Sequence, residues 1–177
     1  MERFFEKISI KQYEKDCIET SIAMGYDKSL WGNDENLLKA EYDDIKLPNR
    51  ATKTSAGYDF YLPYDIMIAP NKSVTIPTGI KVKMESDEVL QLYPRSSLGF
   101  KYGLRLMNTV GIIDSDYYNN LKNEGHILIK IYNSSDEIIR LNRGDKFAQG
   151  IFYKFLHTTN EEEITTTRDG GFGSTGK

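Results

Sequence analysis

The chain has 177 residues, a formal net charge of −3 and a single cysteine, Cys17. Its length fits one domain with a sizeable core, its acidic balance gives no general attraction to nucleic-acid backbones, and a lone cysteine excludes an intrachain disulfide. No apolar run reaches the roughly 18 residues of a membrane span, and no cluster of Lys and Arg makes a basic patch, so neither a membrane nor a nucleic acid is expected as a partner.

The opening stretch, MERFFEKISIKQYEKD, alternates charged with apolar residues and does not read as a signal peptide, so a cytoplasmic location (host cytoplasm for a viral gene) is expected. Phe4, Ile8 and Ile10 predict a short strand. Residues 14–45 are rich in helix formers and read as a helical insertion, broken at GYDKS and WGNDEN. This segment carries no chemical motif: Cys17 has no histidine near it and reads as a structural thiol, and Trp31 reads as a packing anchor.

From about Pro48 the pattern becomes all-β. Val74, Ile76, Ile80, Val82 and Met84 keep period two across Pro77-Thr78-Gly79, which predicts a strand, a turn and a strand. Ile127, Ile129 and Ile131 share one face of HILIKIYN, and a turn at 133–136 leads into EIIRLN. Phe147, Ile151, Tyr153 and Phe155 are expected to alternate along a last strand. Many short strands with turn signals between them predict a sandwich or barrel rather than alternating β and α units.

The tail, GGFGSTGK, has P-loop spacing when counted from Gly171. A P-loop needs a buried strand in front of it, and the preceding NEEEITTTRD is polar and without strand periodicity. The glycines around Phe172 would nonetheless let backbone N–H groups approach an anion closely. Four more islands are too polar for their surroundings: SAGYD (55–59), PRSSLG (94–99), NTVGIIDSDYY (108–118) and RGDKFAQ (143–149). Each alone has an ordinary explanation as a turn or a solvated loop.

Together, in this order and with the tail, the islands resemble the motifs of the homotrimeric dUTP pyrophosphatases, the dUTPases. The resemblance runs from about residue 48 to the C-terminus. It implies a jelly-roll β-sandwich or barrel over 1–165, a flexible glycine-rich arm over 166–177, and a homotrimer with its active sites shared between subunits. The activity implied is hydrolysis of dUTP to dUMP and pyrophosphate, which limits uracil incorporation into DNA and supplies dUMP for dTMP synthesis.

By the same resemblance Asp114 is the general base that deprotonates a water attacking the α-phosphorus; aspartates are ionised at neutral pH, as a base must be. Arg95, Ser96, Ser97 and Gln149 would contact phosphates. A hairpin on Asn108, Gly111, Ile112, Ile113 and Asp114, with Leu128 on the far strand, would read the uracil edge. Tyr117 would sit beneath the deoxyribose and exclude a 2′-hydroxyl. Phe172 would cover the uracil, while Arg168, Gly173, Ser174 and Thr175 gripped the β- and γ-phosphates. Mg2+ is the implied cofactor, held mainly by the substrate phosphates, with Asp59 near it through water.

Three features depart from the family pattern. Tyr118-Asn119-Asn120 and LKNEG lengthen the loop after Tyr117, Arg168 stands one residue nearer the tail glycines than is usual, and Ser97 replaces a common glycine. Two alternatives stay open at this point. One is a nucleotide-gated binding protein with a regulatory partner on the N-terminal insertion. The other is a dCTP deaminase or bifunctional deaminase-dUTPase, although no glutamate in the third island is placed for deamination.

Overall fold

The computed structural model describes residues 2–25 and 35–162. Trp31 and the whole tail, including Arg168, Phe172, Gly173, Ser174 and Thr175, lie outside them.

Strand β1 (Phe4–Lys7) pairs antiparallel with β6 (Ile80–Lys83), Phe5 opposite Val82. The strand does not continue to Ile10. Ser9 turns the chain: its hydroxyl accepts from the Gln12 N–H and caps helix α1 (Ile10–Ala23), so the helix begins four residues before the expected insertion. Helix α1 buries Tyr13, Asp16, Cys17, Thr20 and Ser21, one stripe at helical spacing, and it rests on β5 (Ser73–Pro77) and on α2 (Glu35–Asp43). Cys17 is buried there, and burial pushes its thiol up to about 12, which leaves it protonated and inert.

The rest is an antiparallel sandwich. One sheet has the order β2 (Asn49–Arg50), β3 (Tyr58–Tyr61), β12 (Lys146–Lys154), β7 (Glu88–Pro94), β9 (Gly111–Asp114). A second joins β5, β10 (Leu128–Asn133) and β8 (Leu104–Leu106), and a two-stranded ribbon joins β4 (Ile66–Ile68) to β11 (Ile139–Leu141). Phe60, Leu90, Leu92, Ile113 and Phe147 of the first sheet meet Ile76, Leu106, Ile129 and Ile131 of the second in one buried core. This is a jelly-roll sandwich, and among the described residues its strands do not close into a barrel.

The predicted alternation holds for Ile76, Ile80, Val82 and Met84 and for Ile127, Ile129 and Ile131, all buried. It does not hold throughout β12. A bulge between Lys146 and Ala148 buries both Phe147 and Ala148, while Tyr153 and Phe155 are exposed. The island at 94–99, read as a loop, carries a third helix, α3 (Ser96–Tyr102), with Arg95 at its N-cap and Gly103 ending it at φ +66°.

Candidate active site

Two concave regions collect most of the polar islands. The first is a groove on the outward face of the large sheet. It is lined by Tyr93, Arg95, Ser96, Phe100, Gln149 and Tyr153, with a cavity of about 580 Å³. The register explains the grouping: Gln149 sits directly opposite Tyr93, and Gln149, Ile151 and Tyr153 share a face because side chains alternate along β12. Gln149 donates through Nε2 to the Pro94 carbonyl at 3.4 Å. Ser97 is exposed on α3 and lies beside the groove rather than in its wall.

Arg95 is fixed from behind. Asp59, on β3 and only 3% exposed, accepts from Arg95 through Oδ1 and pairs with Lys146 through Oδ2 at 2.8 Å. Burial alone would raise the Asp59 pKa, but the hydrogen bonds and charges of Lys146 and Arg95 outweigh it and hold the carboxyl below its ordinary value. Lys146 belongs to this site without a motif of its own; its one sequence signal is a cation directly after Arg-Gly-Asp in the fourth island.

This pairing bears on a metal. Both Asp59 oxygens are taken up by cations, and the described residues contain no cluster of three metal-ligating side chains. The site therefore offers no carboxylate cage. An Mg2+ ion fits only if substrate phosphates and water supply its ligands, which is how magnesium is usually held beside nucleotides.

The second region is a cavity of about 320 Å³ between the sheets, lined by Leu92, Met107, Asn108, Gly111, Ile113 and Leu128, among others. Its wall is not the paired hairpin that the motif resemblance implies. Strand β8 pairs with β10 and β9 pairs with β7, so the segment between them crosses from one sheet to the other. The crossing is tight: Thr109 has φ +66° and its N–H donates to the Leu106 carbonyl at 3.2 Å. Leu128 opens β10 on the far wall despite the long preceding loop. Ile112, between the buried Gly111 and Ile113, points to the opposite face and is 49% exposed.

Asp114 ends β9, half-buried, and forms the N-cap of a short 3-10 turn over Ser115–Tyr117. Tyr117 is 2% exposed and lies outside the cavity's lining; its hydroxyl donates to the His126 carbonyl at 2.9 Å and accepts from Asn123 Nδ2 at 2.7 Å.

Asp114 is opposite Val89 on β7, whereas Arg95 follows the far end of that strand. Six residues of extended chain separate their positions by about 20 Å. A triphosphate is shorter than that separation, which favours Asp114 and Arg95 of different copies at one substrate.

Fold and site together define a jelly-roll scaffold whose anion groove and apolar cavity are built for a phosphorylated ligand. The dUTPase family profile matches residues 43–176. The chain is 43% identical over 143 residues to the deoxyuridine 5′-triphosphate nucleotidohydrolase of Lactococcus lactis, covering 80% of this chain and 95% of that one. The Legionella pneumophila enzyme of the same name is 38% identical, covering 76% and 90%. Among solved structures, the Streptococcus mutans dUTPase superposes with a TM-score of 0.60 at 44% identity, covering 64% of this chain and 89% of that one. A phage phi11 dUTPase from S. aureus, described as coordinating a structural Mg(II) ion, shares the fold at 22% identity, with a TM-score of 0.56 and coverage of 69% and 91%. The chain belongs to the dUTPase family. Helix α1 and most of α2 lie before the matched region.

Proposed function

We propose that the protein hydrolyses dUTP to dUMP and pyrophosphate, water attacking the α-phosphorus in line with the departing pyrophosphate. The observation that carries this reading is Asp114 at the end of the cavity-forming strand, in a chain of the dUTPase family. The uracil enters the cavity beside Asn108, Gly111, Ile113 and Leu128, where main-chain donors and acceptors of the crossing segment read its edge. Cytosine reverses the donor pattern there and leaves buried groups unpaired, which discriminates more strongly than an apolar contact could. Ile112, on the outward face, contacts substrate only through its main chain.

Asp114 takes the proton of the attacking water, and its position above the 3-10 turn fixes the direction of approach. Arg95, pre-oriented by Asp59, binds the phosphates with Ser96, Ser97 and Gln149, so charge is neutralised where it develops. The 20 Å separation along β7 supports sites formed between copies, and a homotrimer, as the motifs imply, supplies three. Tyr117 backs the sugar, and Arg168, Phe172, Gly173, Ser174 and Thr175 close over the bound nucleotide. An Mg2+ ion carried on the substrate phosphates would withdraw charge from them, and Asp59, whose oxygens already face Arg95 and Lys146, would help to hold it only through water.

Family membership does not favour the deaminase or the binding-protein reading, and no observation favours a regulatory protein on the N-terminal helices. No helix among the described residues is long and apolar enough to cross a membrane; the cytoplasmic location stays part of this proposal. Ion-exchange analysis of dUTP incubated with Mg2+ and the protein tests the function. Formation of dUMP and pyrophosphate, reduced about 10²- to 10⁴-fold by Asp114→Asn, is expected. No consumption of dUTP, or an Asp114→Asn variant as active as the parent, contradicts it.

A further inference from the structure

The helix that precedes the family match is tied to the loop that follows Asp114. His126, with no exposed surface, lies between them. Its Nε2 accepts from the Gly79 N–H at 2.8 Å, so the ring proton sits on Nδ1 and is directed at Asp16 Oδ2 on α1, 2.5 Å away. The other Asp16 oxygen accepts from Gln12 at 2.9 Å. Asp16 is itself 5% exposed, and burial holds the His126 pKa below its ordinary value despite the carboxylate beside it. A neutral ring is thus clamped on both sides. Its main-chain carbonyl then receives the Tyr117 hydroxyl at 2.9 Å, and Asn123 Nδ2 donates to that same hydroxyl. A second tie runs in parallel: Glu124 accepts from both the N–H and the hydroxyl of Ser9, the cap of α1, at 2.8 and 2.5 Å.

We propose that Asp16, through His126, is a positioning residue for the nucleotide site: helix α1 sets the 3-10 turn that carries Tyr117 directly behind Asp114. This rests on the dUTPase reading above. The lengthened loop after Tyr117 then has a purpose. Asn120, Asn123, Glu124 and His126 all use it to bind either the turn or the helix, and Asn120 Nδ2 reaches the Tyr117 carbonyl at 2.9 Å. The loop thus holds α1 at its Ser9 cap and at Asp16, beside the stripe that rests on β5 and α2. A ring backing the sugar discriminates against a 2′-hydroxyl only if it cannot recede, so loosening this clamp relaxes the preference for dUTP over UTP before it abolishes turnover.

The test compares kcat/KM for dUTP and for UTP in the full-length protein, Asp16→Ala and Cys17→Ala. The two variants disturb neighbouring buried positions of α1, but only the first touches His126. Asp16→Ala is expected to lower the dUTP/UTP ratio by about tenfold, a part of the roughly 10²-fold that a full ångström of misplacement can cost. Cys17→Ala is expected to keep the parent ratio even where it lowers thermal stability equally. Asp16→Asn, which retains an acceptor for the His126 N–H, is expected to fall between. It carries the test if Asp16→Ala does not fold. A parent-like ratio in the Asp16 variants, or an equal loss in Cys17→Ala, overturns the proposal. A parent protein that consumes no dUTP overturns the function itself and is recognised before any variant is compared.

Discussion

Replacing Asp59 by Asn removes the charge that Arg95 and Lys146 share. The carboxylate is 3% exposed and makes one charge-assisted contact to each cation. Such bonds contribute roughly 1.5–3 kcal/mol apiece, and an amide can replace only one of the two acceptors while turning its NH2 towards the other cation. The Arg95 and Lys146 side chains are 29% and 36% exposed, so each can recover part of its loss in water. The expected net cost is about 2 kcal/mol, close to the loss of a single such bond. For a chain of this size it lowers Tm by about 4–8 °C.

The pH dependence has a definite sign. Asp59 is held below its ordinary pKa in the folded protein. Its stabilisation is therefore fully present above the unfolded value near about 3.9 and is lost as pH falls through the folded pKa. Urea unfolding of the two proteins at equal concentration, from pH 7 down to pH 3, reads this directly. The gap should be constant at the upper end and close below pH ~4. Equal stability at pH 7, or a gap that persists undiminished at pH 3, refutes the reasoning. In the same variant KM for dUTP should rise more than kcat falls, because Arg95 loses its orientation and Asp114 is untouched.

Gly111→Ala would bring a Cβ to 3.0 Å from Leu92 Cβ and 3.1 Å from its Cδ1, so Leu92 must shift against the cavity it lines. A cost of about 1 kcal/mol and a several-fold rise in KM are expected from denaturation and steady-state kinetics, and unchanged values would show that the cavity is not the base site. Sites formed between copies predict complementation. Refolding Asp114→Asn and Arg95→Gln subunits together should restore about a quarter of the parent activity, because random assembly pairs one intact Asp114 with one intact Arg95 in that share of sites. No recovery places both residues in one chain's site.

Period-two patterning made the buried faces of β5, β6 and β10 legible, because burial on one side of a strand imposes alternation locally. It carried no information on partners. Strands β5 and β6 are adjacent in sequence, separated only by Thr78 and Gly79, yet they pair in different sheets, with β10 and with β1. The same limit hid the crossing between β8 and β9, which looks like a hairpin when only its residues are read. Helix α3 was obscured because Arg95-Ser96-Ser97 suits a turn and a helix start equally.

Within the site, the islands marked Arg95, Asp114 and Gln149 individually. What they could not mark was pairing across distance: Lys146 with Asp59, or Asp16 with His126, 110 positions apart. Neither pair has a local signature, because each partner alone is an ordinary polar residue and only the fold gives it a buried counterpart.

Hydrolysis in water enriched in 18O, followed by mass spectrometry of both products, tests attack at the α-phosphorus most directly. One labelled oxygen in dUMP and none in pyrophosphate is the result this mechanism requires. Label in the pyrophosphate would mean that water attacks the β-phosphorus, and the placement of Asp114 as the base for α-attack would be wrong.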